Sequence, residues 1–196
     1  QDHGSASLVR NYGDDSRSEV ILDGANNIYI AAQTMSKDFP VKNAFQNTIG
    51  GAQDGVVMKI DPSCNNLIWA TFLGGTADDG AFVLDINPTS GEVYVGGGTT
   101  SSDFPGSKAG TIGTGYNGGV DAYNKPAPDG FVAILSNGGA LQRSTYIGTN
   151  NVDIIYGLKF DRKGFPYIMG TTRGSWPARG NPMPLSFNGK STAPSD

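Results

Sequence analysis

The chain has 196 residues, 37% hydrophobic and 16% charged, the balance of a globular protein with room for a sizeable core. A formal charge of −4 with no cluster of Lys and Arg argues against the basic footprint of a nucleic-acid binder. The lone Cys64 excludes an intrachain disulfide and the multi-cysteine metal sites, and no apolar run reaches the roughly 18 residues of a membrane-spanning helix.

Glycine supplies 29 residues and proline 11; roughly twice the average glycine usage points to many tight turns between short strands. The start lacks the charged-then-apolar pattern of a signal segment. A first residue of Gln rather than Met points to a piece processed or excised from something longer.

Residues 1–6 read as a leader, followed by a short strand candidate at Ser7–Tyr12 and a turn at Gly13-Asp14-Asp15. Val20–Leu22 is β-branched and apolar, and Asp23–Asn27 after it is hairpin-turn chemistry, because Gly and Asn tolerate positive φ. Ile28–Thr34 is the next strand. Asp54-Gly55 opens Val56–Ile60, and Asp61–Asn66 turns the chain into Leu67–Leu73.

Asp79-Gly80 then leads Ala81–Ile86, a turn at Asn87–Gly91 follows, and Glu92–Thr99 alternates Val93 and Val95 with Tyr94 before a glycine run. Asp129-Gly130 opens Phe131–Leu135, Ser136–Gly139 turns, and Leu141–Ile147 runs on. Asp153 leads Ile154–Phe160, Asp161–Gly164 turns, and Tyr167–Thr172 is the last of eleven expected strands. No stretch sustains apolar residues at helical spacing, so the expectation is all-β with essentially no helix.

The order of signals repeats. Asn27–Pro40, Glu92–Pro105 and Phe165–Pro177 each run from an alternating strand through a Thr/Ser-rich exit to an aromatic-Pro stop. Tyr29 to Tyr94 and Phe39 to Phe104 are both 65 positions, Asp54 to Asp129 is 75 and Leu67 to Leu141 is 74. The extra length lies in one loop, since 13 residues separate Pro40 from Asp54 and 23 separate Pro105 from Asp129.

Self-similarity of this kind is the mark of a repeat architecture, in which insertions map to loops on one face. Four antiparallel strands per repeat describe a β-propeller blade. The expected domain is residues 7–177, in units of about 7–60, 67–135 and an incomplete 141–177, with a Pro/Ser-rich tail at 178–196. Propellers close with about four to eight blades, so three units predict a segment of a larger ring or one completed by other chains.

The lines Asp54–Pro62, Leu67–Gly75 and Val93–Pro105, with the second copies at Gly130–Leu135 and Ser144–Gly148, resemble the SBBP bacterial β-propeller repeat over most of residues 20–177. Arg143 stands where that repeat favours an aromatic residue. Ile155–Pro177 is similar to a variant found in very large surface proteins of gliding Bacteroidetes exported by type IX secretion. The resemblance implies a secreted or cell-surface location and a role in adhesion, surface assembly or gliding motility, and it carries no catalytic residues.

Side chains with chemistry are few. His3, the only histidine, lies in the leader, and Cys64 lies in a turn without a partner, so neither builds a nucleophilic device. Asp14-Asp15, Asp78-Asp79 and Asp153 recur at matching points. Their carboxylates either hold turns through backbone N–H groups or help to bind Ca²⁺, which wants six to eight oxygens, and the turn role is the stronger reading.

Phe39, Phe104 and Trp176 read as rings plugged between blades, and Gly106–Pro128, with Tyr116 and Tyr123, as a recognition loop. The expected protein is therefore a non-catalytic module without metal or cofactor. It meets a protein or glycan at the cell surface, or neighbouring blades, and neither nucleic acid nor membrane. Two alternatives stay open: a carbohydrate-binding propeller using the Tyr116, Tyr123 and Trp176 rings, and a piece of a propeller-fold hydrolase or lyase.

Overall fold

A computed structural model of the chain describes residues 18–121 and 124–175. Ten strands and no helix make up the described residues: β1 Glu19–Leu22, β2 Ile28–Thr34, β3 Asp54–Ile60, β4 Leu67–Leu73, β5 Asp79–Ile86, β6 Val93–Thr99, β7 Asp129–Leu135, β8 Leu141–Ile147, β9 Asp153–Phe160 and β10 Pro166–Thr172. They form two four-stranded meanders, β1-β2-β3-β4 and β5-β6-β7-β8, and the pair β9-β10. Every neighbouring pair is antiparallel. The strand expected at Ser7–Tyr12, the leader and the tail fall outside the described residues.

Two details differ from the sequence reading. The sheets divide at 19–73, 79–147 and 153–172, one strand later than the repeat units, because the Asp61–Asn66 turn folds β4 back onto β3. The Asp-Gly pairs, expected just ahead of the strands they open, are themselves in the ladder, Asp54 opposite Thr34 and Asp79 and Asp129 opposite Thr99. Their backbone is extended; only the side chains turn away.

Register repeats with the sequence. Tyr29 faces Lys59 as Tyr94 faces Ile134, and the ladder slips at Lys59/Ile60 as it does at Ile134/Leu135. The first strand of the second and third sheets carries the same irregularity, which skips Phe82 in β5 and Tyr156 in β9. A bulge re-aims its side chain, and these two rings stack on each other, centroids 6.1 Å apart.

The core lies between sheets. Tyr29, Val57, Trp69 and Leu73 of the first sheet meet Leu84, Val93, Val95, Phe131 and Leu135 of the second. On the far side Phe82, Val83, Val132 and Ile147 meet Ile154, Ile155 and Leu158 of the third. Each such aliphatic or phenyl side chain removed from water contributes on the order of 1.5–3 kcal/mol. Strand β5 lies across β1–β3 and β9 across β5–β7. The glycine run of β6 permits this closeness, since a Cβ on Gly96 would stand 2.9 Å from the Ile155 side chain of β9.

First strands are also tied to one another. The Glu19 carboxylate of β1 accepts the Leu84 N–H of β5 at 2.7 Å, and the Asp85 carboxylate of β5 accepts the Phe160 N–H of β9 at 3.0 Å. The Lys159 ammonium of β9 lies 3.9 Å from Glu19 and 3.7 Å from Asp85, so β1, β5 and β9 converge on one point.

Candidate functional site

Strands β3, β5, β7 and β9 begin at one end of the molecule, and each begins with a buried aspartate, 0–2% exposed. An anion in that position needs donors, and the preceding loop supplies most of them. Asp54 accepts the N–H groups of Gly50 and Gly51 at 2.9 and 3.1 Å and the Gln46 amide at 2.9 Å. Asp79 accepts the Gly75 N–H at 2.7 Å and the Ser101 hydroxyl at 2.8 Å. Asp129 accepts the Asn117 N–H at 2.7 Å. Asp153 accepts the N–H and hydroxyl of Thr149 at 2.6 and 2.8 Å.

This is the turn-holding role. The neighbouring Asp78 points elsewhere and accepts the Gln53 N–H of the first sheet at 3.2 Å. Among the described residues no group of three or more His, Cys, Asp or Glu side chains gathers as a metal cage. Asp14, Asp15 and His3 lie outside the described residues.

Burial pushes Asp79 up to about 7 against the pull of Thr99, Ser101 and the Gly75 N–H. It pushes Asp129 up to about 7 as well, with the nearby Asp153 charge adding to the rise, and it raises Asp54. One oxygen each of Asp79, Asp129 and Asp153 has no hydrogen-bond partner. For Asp79 and Asp129, taking up a proton reduces the cost of that burial.

The Thr99–Pro105 exit clasps the β4–β5 connection. Thr99 Oγ1 accepts the Ser101 N–H at 3.0 Å, and Ser101 Oγ accepts the Ala77 N–H at 2.9 Å. Asp103 accepts the N–H and hydroxyl of Thr76 at 2.9 and 3.1 Å, and the backbone bond first of all holds its carboxyl below the usual range. Phe104 is 3% exposed with its ring 4.3 Å from that of Phe131, and it belongs to the core between the first two sheets. Its N–H donates to the Tyr146 hydroxyl at 3.0 Å. Phe39 is half-buried instead, its ring 5.4 Å from that of Phe72 in its own sheet. Trp176 lies outside the described residues.

The loop expected to recognise a ligand has a structural task. Gly113 O accepts the Tyr146 N–H and Ser107 O the Ser144 N–H, each at 3.0 Å, so residues 107–113 cover the outer edge of β8. Lys42 and Gln46 do the same for β4, exchanging bonds with Ala70 and accepting the Phe72 N–H. Lys108 pins the longer cover, its ammonium donating to Phe104 O and Ser144 Oγ, both at 2.7 Å. Tyr116 faces inward, packs its ring 6.3 Å from Tyr146, and donates its hydroxyl to Ala127 O at 2.6 Å. Burial pushes it up to about 12. Tyr123 lies outside the described residues. Cys64 is exposed on its turn at φ 58°.

One constellation escaped the sequence reading, at the opposite end. The β7–β8 turn reaches over the first sheet, where the Asn137 side-chain oxygen accepts the Lys59 ammonium at 2.7 Å and the Tyr29 hydroxyl at 2.8 Å. Asn137 O accepts the Trp69 indole N–H at 2.9 Å. Gly139, at φ 86°, lies so close that a Cβ would stand 2.7 Å from the Trp69 ring. Only the Gly138-Gly139 pair hinted at it, and that pair reads equally well as an ordinary hairpin turn. No family model and no curated protein matches the chain.

Proposed function

We propose that this chain is a stretch of a β-propeller of the SBBP type and serves as a non-catalytic scaffold in a secreted or cell-surface bacterial protein, in adhesion, surface assembly or gliding. The observation that carries the architectural reading is Lys159. Sheets stacked face to face stand about 10 Å apart, so a side chain of the third sheet would not reach the first across the second. Lys159 lies within 3.9 Å of Glu19 and 3.7 Å of Asp85. Such convergence of three first strands fits sheets fanned around an axis, with those strands innermost.

The scaffold role is supported by how the carboxylates are used. Asp54, Asp79, Asp129 and Asp153 each bond to their own loop and so brace the loop end of the sheets. Binding surfaces are commonly built from loops held by a rigid frame of this kind. The experiment is antibody labelling of intact cells producing the protein, combined with deletion of its gene. Labelling before lysis together with weakened surface attachment or spreading is the expected result. Labelling only after lysis, or unchanged attachment and spreading, overturns the proposal.

A further inference from the structure

We propose that Lys59 and Asn137 join through an isopeptide bond, formed by the chain itself with loss of ammonia, which ties the first sheet covalently to the second. The groups this reaction needs meet at one place. The Lys59 amino nitrogen is 2.7 Å from Asn137 Oδ1, which puts it within about 4 Å of Asn137 Cγ, one C=O bond further on. Asp23 Oδ2 is 3.6 Å from the same nitrogen, and the Tyr29 hydroxyl is 2.8 Å from Oδ1. Lys59 is 8% exposed and Tyr29 and Trp69 1% each, so amine and carbonyl meet with little water between the sheets. Asn137 is exposed on its turn, which leaves the ammonia a way out.

Both partners of Lys59 are held in place. Asn137 O accepts the Trp69 indole N–H at 2.9 Å, and Gly139 packs against the Trp69 ring, so a fixed backbone presents the Asn137 side chain. Asp23 accepts the Ala25 and Asn27 N–H groups, each at 2.9 Å. Reactants held in this way need no bimolecular encounter. The fold itself does not require the set. Lys59 faces Tyr29 as Ile134 faces Tyr94 in the second sheet, and directly after the first strand Asn87 stands there in place of Asp23. Burying an ammonium is costly where an isoleucine serves, so the amine, carboxylate and carboxamide gathered in one copy exceed what packing needs.

Asp23 takes a proton from the Lys59 ammonium and frees its lone pair, which adds to Asn137 Cγ as the C=O electrons move onto Oδ1. The Tyr29 hydroxyl, already donating to that oxygen, meets the growing charge. As the carbonyl re-forms, the Cγ–Nδ2 bond breaks. Nδ2 departs with the two protons shed by Nζ, as an ammonium ion, and Asp23 ends as the carboxylate it began as. No oxidant or further reactant takes part. Burial acts to raise Asp23, but its donors from Asn27 and Ala25 hold the carboxyl below the ordinary range. The first proton transfer is therefore uphill, and the bond accumulates slowly after folding.

The test is the intact mass of the full chain, denatured at intervals over several weeks at neutral pH, with peptide mapping of the product. The expected result is loss of one ammonia and a branched peptide joining the Lys59 and Asn137 segments. Cyclisation of Asn137 onto the Gly138 N–H also expels ammonia but makes no branch. An unchanged mass, or ammonia lost without a branched peptide, overturns the proposal, and this measurement on the unaltered chain decides it whether or not a variant folds. Lys59→Arg, which keeps the cation without a usable nucleophile, and Asn137→Ala should each abolish the branch. Asp23→Asn and Tyr29→Phe should each slow its formation about a hundredfold, a rate that a merely structural role would leave alone. Formation as fast in both variants, with unchanged circular dichroism, overturns the roles assigned to Asp23 and Tyr29.

Discussion

The buried aspartates give the molecule a pH response of definite sign. Asp79 and Asp129 are pushed up to about 7 from an ordinary 3.8, chiefly by burial. Between those values the folded chain holds protons that the unfolded chain has released, so stability falls as pH rises. The contribution is complete below about pH 4 and is lost by the time pH has passed about 7. A carboxyl group displaced this far contributes on the order of a few kcal/mol. Thermal melts from pH 5 to 8 should show a falling midpoint, and Asp79→Asn, which keeps the shape without the titration, should flatten the slope. An equally steep slope in the variant would count against Asp79 as its source. Asn137 is the other residue on which much depends. Asn137→Ala removes one acceptor shared by the Tyr29 hydroxyl and the Lys59 ammonium and leaves both to the Asp23 carboxylate, 3.2 and 3.6 Å away, at a cost of about 1 kcal/mol for each bond lost. Asn137→Asp keeps an acceptor and should recover most of the loss in urea denaturation.

At the scale of elements, strands were legible and loops were not. Alternating runs such as Val93-Tyr94-Val95, and β-branched runs such as Val56-Val57, announce strands because such side chains fit a pleated, packed surface, and the ten described strands lie at the positions where the sequence predicts them. Phe104 was legible as a plug because an aromatic ring between a strand exit and a proline has little room except inward. The path of Gly106–Pro128 was not, since its task is set by backbone bonds to an edge distant in sequence, and composition carries no trace of them. The same holds for Asn137, whose partners sit 78 and 108 positions away. The edge cover can be checked directly. Lys108→Ala removes the cation that ties Phe104 O and Ser144 Oγ to the loop, and should cost about 1–2 kcal/mol. Its particular signature is faster hydrogen exchange at the Tyr146 N–H, which donates to Gly113 O. Uniformly faster exchange throughout the chain would instead indicate general destabilisation.

For the whole molecule, what matters is that each sheet buries its neighbour. The second sheet is covered on both faces, by Tyr29, Val57 and Trp69 on one side and by Ile154, Ile155 and Leu158 on the other. The first leaves Val20 and Leu22 62% and 59% exposed, and the third leaves the whole of β10 exposed. In an array whose units contact only their neighbours, stability is a sum of unit and interface contributions, so a unit with two interfaces outlasts those with one. Native-state hydrogen exchange should therefore be graded, slowest in β5–β7, faster in β1, and fastest in β10, which among the described residues is bonded to β9 alone. Leu84, at 0% exposed in β5, is the sharpest probe of this coupling. Leu84→Ala should cost about 2–5 kcal/mol and speed exchange in β2 and β3 as well as in β5, because the first sheet leans on that strand. If exchange in β2 and β3 stayed unchanged while β5 opened, the sheets would be independent units and mutual support would not be what holds them.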